Sequence, residues 1–498
     1  MKVKVTVQPN NLTFFAETEW NHTLMRVLQD VGITVDAPCG GNGKCGKCQA
    51  VVNGKKTLLC ASVLEGDTEI ILPGAAENVI LTEGDSVSVP VDPLQSGYLA
   101  AFDIGTTTVV CYLMDPQGKT IGVESALNPQ TAFGADVISR IRYALAGNLT
   151  ELSGLIRKTM GELLQNACAK AGIPAALVKT ISVVGNPCMQ QLFLEISPGN
   201  LAAIPFSPVI TETVVCPAAP YFPECPDAVL TTIPDISGYV GADTVACILA
   251  SQLDKLPQTT LMVDIGTNGE MVLQHQGKMI ACATAAGPAL EGANIQCGMR
   301  GSPGAIDHVW TEGGQLRFHV IGNGEATGIC GSGLIDAAAV FLELGWINER
   351  GRILLTEKEN GQRAIHLSKR VFLTQDDIRQ IMMAKGAIAA GIQLMSQQVG
   401  IQPEDIRCVL LAGAFGTYMN SQNACRIGLL PPELHDRIRS AGNLAGEGAK
   451  LIAHNKNLAV LARELCGQTE FLELASCPQF SRVFSRKMFF PESALVKK

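Results

Sequence analysis

The sequence predicts a multidomain chain, a small α+β unit followed by a larger two-lobed α/β unit, on two observations. Four cysteines crowd into a glycine-rich stretch near the N-terminus, inside a strand–strand–helix–loop–strand pattern. The string DIGT then occurs twice, with its acids at Asp103 and Asp264, 161 residues apart. A chain of 498 residues exceeds what one hydrophobic core supports. Apolar residues at 47% and charged residues at 17% describe a compact globular protein. The net charge of −8 argues against a nucleic-acid partner. No apolar run reaches the ~18 residues of a membrane span. MKVKVTVQPN alternates like a strand rather than a signal peptide. A cytoplasmic protein with no membrane contact is expected.

The first unit is read element by element. Residues 2–7 (KVKVTV) and 12–16 (LTFFA) pair as a hairpin, and 23–32 (TLMRVLQDVG) forms a helix with Leu24, Val27, Leu28 and Val31 on one face. The loop CGGNGKCGKC (39–48) follows, then strands at 49–53, 69–72 and 86–91, the element order of a β-grasp. Of seventeen cysteines, thirteen are scattered from Cys111 to Cys477 and read as small buried hydrophobes. The clustered Cys39, Cys45, Cys48 and Cys60 form a C-x5-C-x2-C-x11-C series. Three thiolates on one tight loop and a fourth beyond it can ligate the two irons of a [2Fe–2S] cluster. A structural zinc site is the alternative, although zinc ribbons pair two C-x2-C knuckles and Cys60 stands alone. Gly40, Gly41, Gly43 and Gly46 let the loop wrap a cluster and aim N–H groups at its sulfurs. Residues 1–90 resemble the ferredoxin family, with a five-residue first gap where plant-type members have four. The expected boundaries are a ferredoxin-type domain at 1–85 and a linker at 86–97.

The second unit opens with YLAAFDIGTTTVVCYLM (98–114), a strand ending at Asp103, a turn through Gly105, Thr106, Thr107 and Thr108, and a returning strand. LMVDIGTNGEMVLQHQGK (261–278) repeats this with Asp264, Gly266, Thr267, Asn268 and Gly269. Such turns free backbone N–H groups and small hydroxyls for phosphate oxygens. An acid at the strand end can serve Mg²⁺ through water, or an attacking water. Two matched copies imply two similar lobes, at 98–257 and 258–498, the second with a hinge helix and C-terminal tail. CVLLAGAFGTYM (408–419) is a third strand running into a glycine turn. The helices 237–253 and 441–454 both start with Gly and Ala, which suits a close crossing between the lobes.

This set of motifs resembles the acetate kinase, sugar kinase, Hsp70 and actin superfamily. The resemblance implies duplicated ribonuclease H-like lobes around ATP. Asp103 and Asp264 would serve Mg²⁺ and the water, and Gly105–Thr108 and Gly266–Gly269 would hold phosphates. Gly413, Ala414, Phe415 and Gly416 would border the base. Glu270 would polarise the water, with a plain surface carboxylate as the alternative. Gly331, Ser332 and Gly333 of GICGSG either touch nucleotide or form a structural turn. Cys297 and Cys330 are read as buried thiols rather than redox cysteines.

The further strings VVGNPCMQQL (183–192), GYVGADTVA (238–246), GPALEGANIQCGMRGSPGAI (287–306) and GICGSGLID (328–336), with the cysteine domain in front, resemble the reductive activators of corrinoid-dependent enzymes. Gln191 departs from the His expected there. Neither a C-terminal cysteine-rich module nor an intervening middle domain is evident, so a short form is expected. The resemblance implies ATP-dependent electron transfer from the cluster to a corrinoid protein, returning cob(II)alamin to cob(I)alamin. A low-potential donor would stand upstream, and a homodimer is compatible. The competing expectation is a small-molecule kinase of the same fold carrying a redox-sensing ferredoxin domain.

Overall fold

A computed structural model describes residues 2–7, 12–17, 22–30, 33, 35, 37, 41, 43, 48–64, 66–72, 81–84, 92, 97–266 and 268–492. In the first unit β1 (Lys2–Val7), β2 (Leu12–Glu17), α1 (Leu24–Asp30), β3 (Gln49–Val52), β4 (Lys55–Leu58) and β5 (Thr68–Leu72) follow in order. The sheet order is β2-β1-β5-β3-β4, with β1 antiparallel to β2 and parallel to β5. Leu24, Val27 and Leu28 of α1 bury against Val3, Val5 and Ile70, which is the predicted helix face meeting alternate strand residues. Val31 and the strand expected at 86–91 lie outside the described residues. The lysine-rich strand β4 was not expected. Asn53 and Gly54 turn back with positive φ of 48° and 78°, which is the hairpin geometry that pairs β3 with β4.

The first lobe comprises β6 (Tyr98–Ile104), β7 (Thr108–Met114), β8 (Thr120–Leu127), α2 (Val137–Tyr143), α3 (Leu149–Ala171), β9 (Val178–Gly185), α4 (Pro187–Leu194), β10 (Val214–Pro217), β11 (Val229–Thr232) and α5 (Ala242–Ser251). Its sheet runs β10-β11-β9-β6-β7-β8, a three-stranded meander with β9 parallel to β6.

The second lobe starts with the same meander, β12 (Thr260–Ile265), β13 (Gly269–His275) and β14 (Lys278–Thr284). Then come β15 (Ala305–Glu312), β16 (Gln315–Val320), β17 (Gly328–Ile329), α6 (Gly331–Glu343), β18 (Lys358–Glu359), β19 (Gln362–His366), β20 (Phe372–Thr374) and α7 (Gln375–Gln398). The chain continues through β21 (Cys408–Ala412), α8 (Gly413–Tyr418), α9 (Ser421–Arg426), β22 (Ile438–Gly442), α10 (Leu444–His454), α11 (Asn457–Gln468), β23 (Thr469–Phe471) and α12 (Phe480–Lys487). The sheet order β22-β21-β12-β13-β14-β23 repeats the first lobe's plan, with β21 parallel to β12. The architecture is thus a β-grasp unit followed by a two-lobed, actin-like pair of ribonuclease H-like sheets.

Side chains alternate across each central strand. Ala100, Phe102 and Ile104 face α3 and α4, whereas Leu99 and Ala101 face a core shared with Met262, Val272 and Ala281 of the other sheet. Helices α5 and α10 fill that shared core between the two lobes. They cross closely, as expected: a Cβ built on Gly448 would lie 2.2 Å from the Ala246 carbonyl oxygen. Any side chain at 448 would push the helices apart. Among the described residues no helix is long and apolar enough to cross a membrane.

Candidate functional site

The turn between β6 and β7 is held from every side. Gly105 N–H donates to Thr108 O at 2.8 Å, and the Asn128 amide donates to Gly105 O at 2.9 Å. Asn186, the N-cap of α4, accepts from Met189 N–H and donates through Nδ2 to Thr106 Oγ1 at 3.0 Å. Arg140 lies wholly buried beneath the turn and donates to the carbonyls of Thr106 and Gly134. Burial brings its pKa down to about 10, so the guanidinium stays charged at neutral pH and sets a positive charge behind this loop. Thr107 Oγ1 donates to Glu291 Oε2 at 3.1 Å. Glu291 belongs to the GPALEG segment of the second lobe, so this bond ties the two lobes at the phosphate loop.

The second turn has a different character. Gly266 N–H donates to Asn268 O at 2.9 Å, and Thr267 lies outside the described residues. A Cβ on Gly266 would stand 3.6 Å from Glu291 Oε1, so the Glu291 carboxylate sits between both turns. Gly413 opens α8 with φ +79°, and a Cβ there would come within 2.5 Å of Asp264 Oδ1. Only glycine lets the third turn approach the carboxylate. The side chains of Ala414 and Phe415 lie outside the described residues, and Gly416 packs on Leu411.

Besides Glu291, four half-buried carboxylates share the cleft. Burial raises Asp103 to about 6, opposed by a hydrogen bond from Asn443. Burial, then Asp103 and Glu291, raise Asp264 to about 7. Glu270 is pushed well above its usual range by burial and by Asp243 and Asp264. Asp243, in the first turn of α5, rises to about 7 through burial and the charges of Asp103 and Asp264. Mutual repulsion among oxygen donors is the condition that a hard divalent cation relieves. Asp243 was missed in the sequence because an acid in a first helical turn ordinarily needs no further explanation. Arg140 and Glu291 were missed likewise, one inside an amphipathic helix pattern and the other inside a glycine-flanked turn.

Gly331, Ser332 and Gly333 lie at the start of α6, which packs against residues 288–291 and against α8. They form the buried first turn of α6, where Ser332 Oγ donates to Asp307 O at 2.8 Å and a Cβ on Gly333 would meet Ile306 O at 2.3 Å. These contacts hold the turn against β15. Burial raises the Cys330 thiol, which keeps it unreactive. Gln191 is fully buried in α4, and neither polar atom of its amide has a partner among the described residues.

At the N-terminal domain, Cys39 and Cys45 lie outside the described residues. Cys48 and Cys60 are both buried, and Leu59 N–H donates to Cys48 O at 2.9 Å. Gly41, with φ +83°, would place a Cβ 3.7 Å from Cys60 Cβ, so the backbone at this glycine lies against Cys60. Two buried thiols, with Gly41 beside Cys60, fit two of the four ligands expected of an iron–sulfur cluster.

Known proteins narrow the reading. Residues 258–497 match the family model "C-terminal domain of RACo the ASKHA domain", and residues 98–256 match "RACo middle region". The expectation that a middle domain is absent is therefore corrected, because the first lobe is that region. The chain is 37% identical over 424 residues to corrinoid activation enzyme RamQ of Eubacterium limosum, covering 80% of this chain and 71% of that one. A 49-residue stretch, 10% of this chain, is 39% identical to 2Fe-2S ferredoxin-5 of Aquifex aeolicus and covers 51% of it. A solved reductive activator for corrinoid, iron-sulfur protein superposes with a TM-score of 0.71 at 27% identity, covering 99% of each chain. The chain belongs to the family of RACo and the corrinoid activation enzymes.

Proposed function

We propose that this chain is a cytoplasmic, ATP-dependent reductive activator that passes one electron to the cobalt(II) form of a corrinoid protein and restores cobalt(I) for methyl transfer. The observation that carries the reading is its 37% identity to a corrinoid activation enzyme across 424 residues. A [2Fe–2S] cluster held by Cys39, Cys45, Cys48 and Cys60 would supply the one-electron carrier, refilled by a low-potential donor. Mg²⁺ held near Asp103 and Asp264 would neutralise phosphate charge. Gly105–Thr108 and Gly266–Gly269 cradle the phosphates, with Arg140 adding positive potential from below. Gly413–Gly416 border the base, and Glu270 orients the attacking water. A homodimer is compatible with this scheme.

The energetics explain why the two halves belong together. A plant-type [2Fe–2S] centre lies near −400 mV, on the order of the potentials of other low-potential carriers. A cobalt(II) acceptor below that potential takes the electron uphill, and each ~59 mV costs about 1.4 kcal/mol for one electron. ATP offsets this only if the nucleotide state alters how the activator engages the two cobalt states. Closure of the lobes about α5 and α10 is the two-state element.

The test mixes the protein with a cobalt(II) corrinoid protein, a low-potential reductant and Mg·ATP, and follows the cobalt(I) absorbance. Cobalt(I) is expected only with ATP and an intact cluster, and Cys48→Ala and Asp264→Ala should each fail. ATP-independent reduction, or phosphorylation of a small acid or sugar without reduction, would put the kinase reading in its place.

A further inference from the structure

Between the cysteine-bearing domain and the first lobe, the described residues 81–84 touch one critical junction. Gly84 forms an antiparallel bridge with Gly442, and Glu83 O accepts from Asn443 N–H at 2.8 Å. The approach is so tight that it needs glycine on both sides. A Cβ on Gly84 would lie 2.8 Å from backbone atoms of Asn443, and one on Gly442, with φ +68°, would lie 2.3 Å from Glu83 O. At the other end of α10, Asp92 N–H donates to His454 O at 2.8 Å, with Lys456 Nζ 3.5 Å from the Asp92 carboxylate. The connection is thus pinned at both ends of the helix that lies between the two lobes.

Asn443 is the junction itself. Its Oδ1 accepts from Gly446 N–H at 2.9 Å and caps α10, while its own carbonyl accepts from Glu447 N–H. Its Nδ2 donates to Asp103 Oδ2 at 3.0 Å and to the buried Tyr112 Oη at 3.1 Å. Because Oδ1 is fixed by the helix cap, the amide cannot turn to follow Asp103 without moving the start of α10. The backbone that would move is the one bonded to Glu83.

We propose that Asn443 is a positioning residue for Asp103 and that residues 81–84 are a strap through which the nucleotide state at Asp103 reaches the N-terminal redox domain. The inference rests on the proposed nucleotide site. Occupancy of the cleft shifts the Asp103 carboxylate, the Asn443 amide follows, and the strap transmits the shift along the connection. Lobe closure, which moves α10 relative to one sheet, acts on the same two pins. Coupling of this kind requires two states and a connected element that both sites bias, and the strap supplies that element.

The test uses the full chain with its cluster. In the unaltered protein, amide hydrogen exchange at 81–84 and at Asn443 should change when Mg²⁺ and a non-hydrolysable ATP analogue are added. Gly84→Ala changes no cleft carboxylate and no cysteine, and acts on the cleft only through the Asn443 backbone. It should keep the visible cluster spectrum and hold nucleotide Kd within about threefold, yet lower ATP-stimulated cobalt(I) formation about tenfold, the scale of one lost backbone hydrogen bond. Asn443→Ser keeps a good helix cap but not the reach to Asp103, so hydrolysis should fall about tenfold in kcat with Kd nearly unchanged. The strap is overturned if nucleotide binds but exchange at 81–84 does not respond, or if Gly84→Ala couples like the unaltered protein. Loss of nucleotide Kd in Asn443→Ser without loss of kcat overturns the positioning role. Absence of any nucleotide binding in the unaltered protein removes the site reading, and the strap with it. Should Gly84→Ala lose its cluster, the exchange measurement on the unaltered chain decides alone.

Discussion

The two lobes share a sheet plan but treat their phosphate turns in opposite ways. The first turn is fastened by Asn128, Asn186 and Arg140 and by the cross-lobe bond to Glu291. The second carries Asp264 and Glu270, whose protons are held by burial and mutual charge, with Gly413 pressed against the acid. Among the described residues, each lobe also buries one cation. Arg140 stays charged beneath the first turn. In the second lobe, burial and the nearby Lys487 pull Lys385 of α7 down to about 7, where it donates to Phe489 O and lies over the Phe490 ring. One duplicated frame has thus been divided into a rigid cradle and a reactive wall. Rigidity comes from a cation with many acceptors, and reactivity from carboxylates with too few counter-charges.

Removing the cradle's support should give the largest effect. Arg140→Met leaves the carbonyls of Thr106 and Gly134 buried without their donor, and about 3–4 kcal/mol of stability should be lost, read as a fall in Tm. An unchanged Tm would mean that the first turn holds itself. Next comes the reactive wall. Asp264→Ala should raise the barrier to ATP hydrolysis by about 3 kcal/mol, a rate loss on the order of 100-fold, with the cluster spectrum intact. Hydrolysis within a few-fold of the unaltered protein would dissolve the division of labour.

A smaller effect is expected where the two turns meet. Glu291→Ala frees the Thr107 hydroxyl for phosphate and removes a negative charge from between the loops, so Mg·ADP should bind several-fold tighter, about 1 kcal/mol. Weaker binding would instead make Glu291 part of the metal site. The smallest effect is a slope. The unfolded chain holds the Lys385 proton up to about 10.5 and the fold releases it near 7, so the unfolded state binds more protons across that window and stability should rise with pH there. Lys385→Met should flatten that rise in denaturant titrations between pH 7 and pH 10.

The duplication was legible because DIGT needs a glycine turn after an acid-ended strand in both copies. The opening strand–strand–helix order and Leu24, Val27 and Leu28 on one face of α1 were legible from period. Strand β4 was not, because its residues KKTL (55–58) carry no alternation and only the Asn53-Gly54 turn announces it. The site was legible where a residue sits on a turn and hidden where it sits on a helix. Arg140, Asp243 and Asn443 each satisfy a local rule, as a polar helix residue, a first-turn acid and an N-cap, so nothing in their neighbourhood signals a second task. Their role arises from contacts across 34 to 340 residues of chain.

The placement of α10 has a consequence for how the protein is made. Leu99, Ala101, Val110 and Tyr112 bury their side of the first sheet in a core completed by Leu444, Ala445 and Ala449. A ribosome working at roughly 5–20 residues per second needs on the order of 10–40 s to pass from the end of α5 to the start of α10. Throughout that interval the first lobe carries an apolar face with only part of its final cover. A nascent chain halted between α5 and α10 therefore presents a sticky, half-roofed sheet. That face gains its full cover only once α10 has been made.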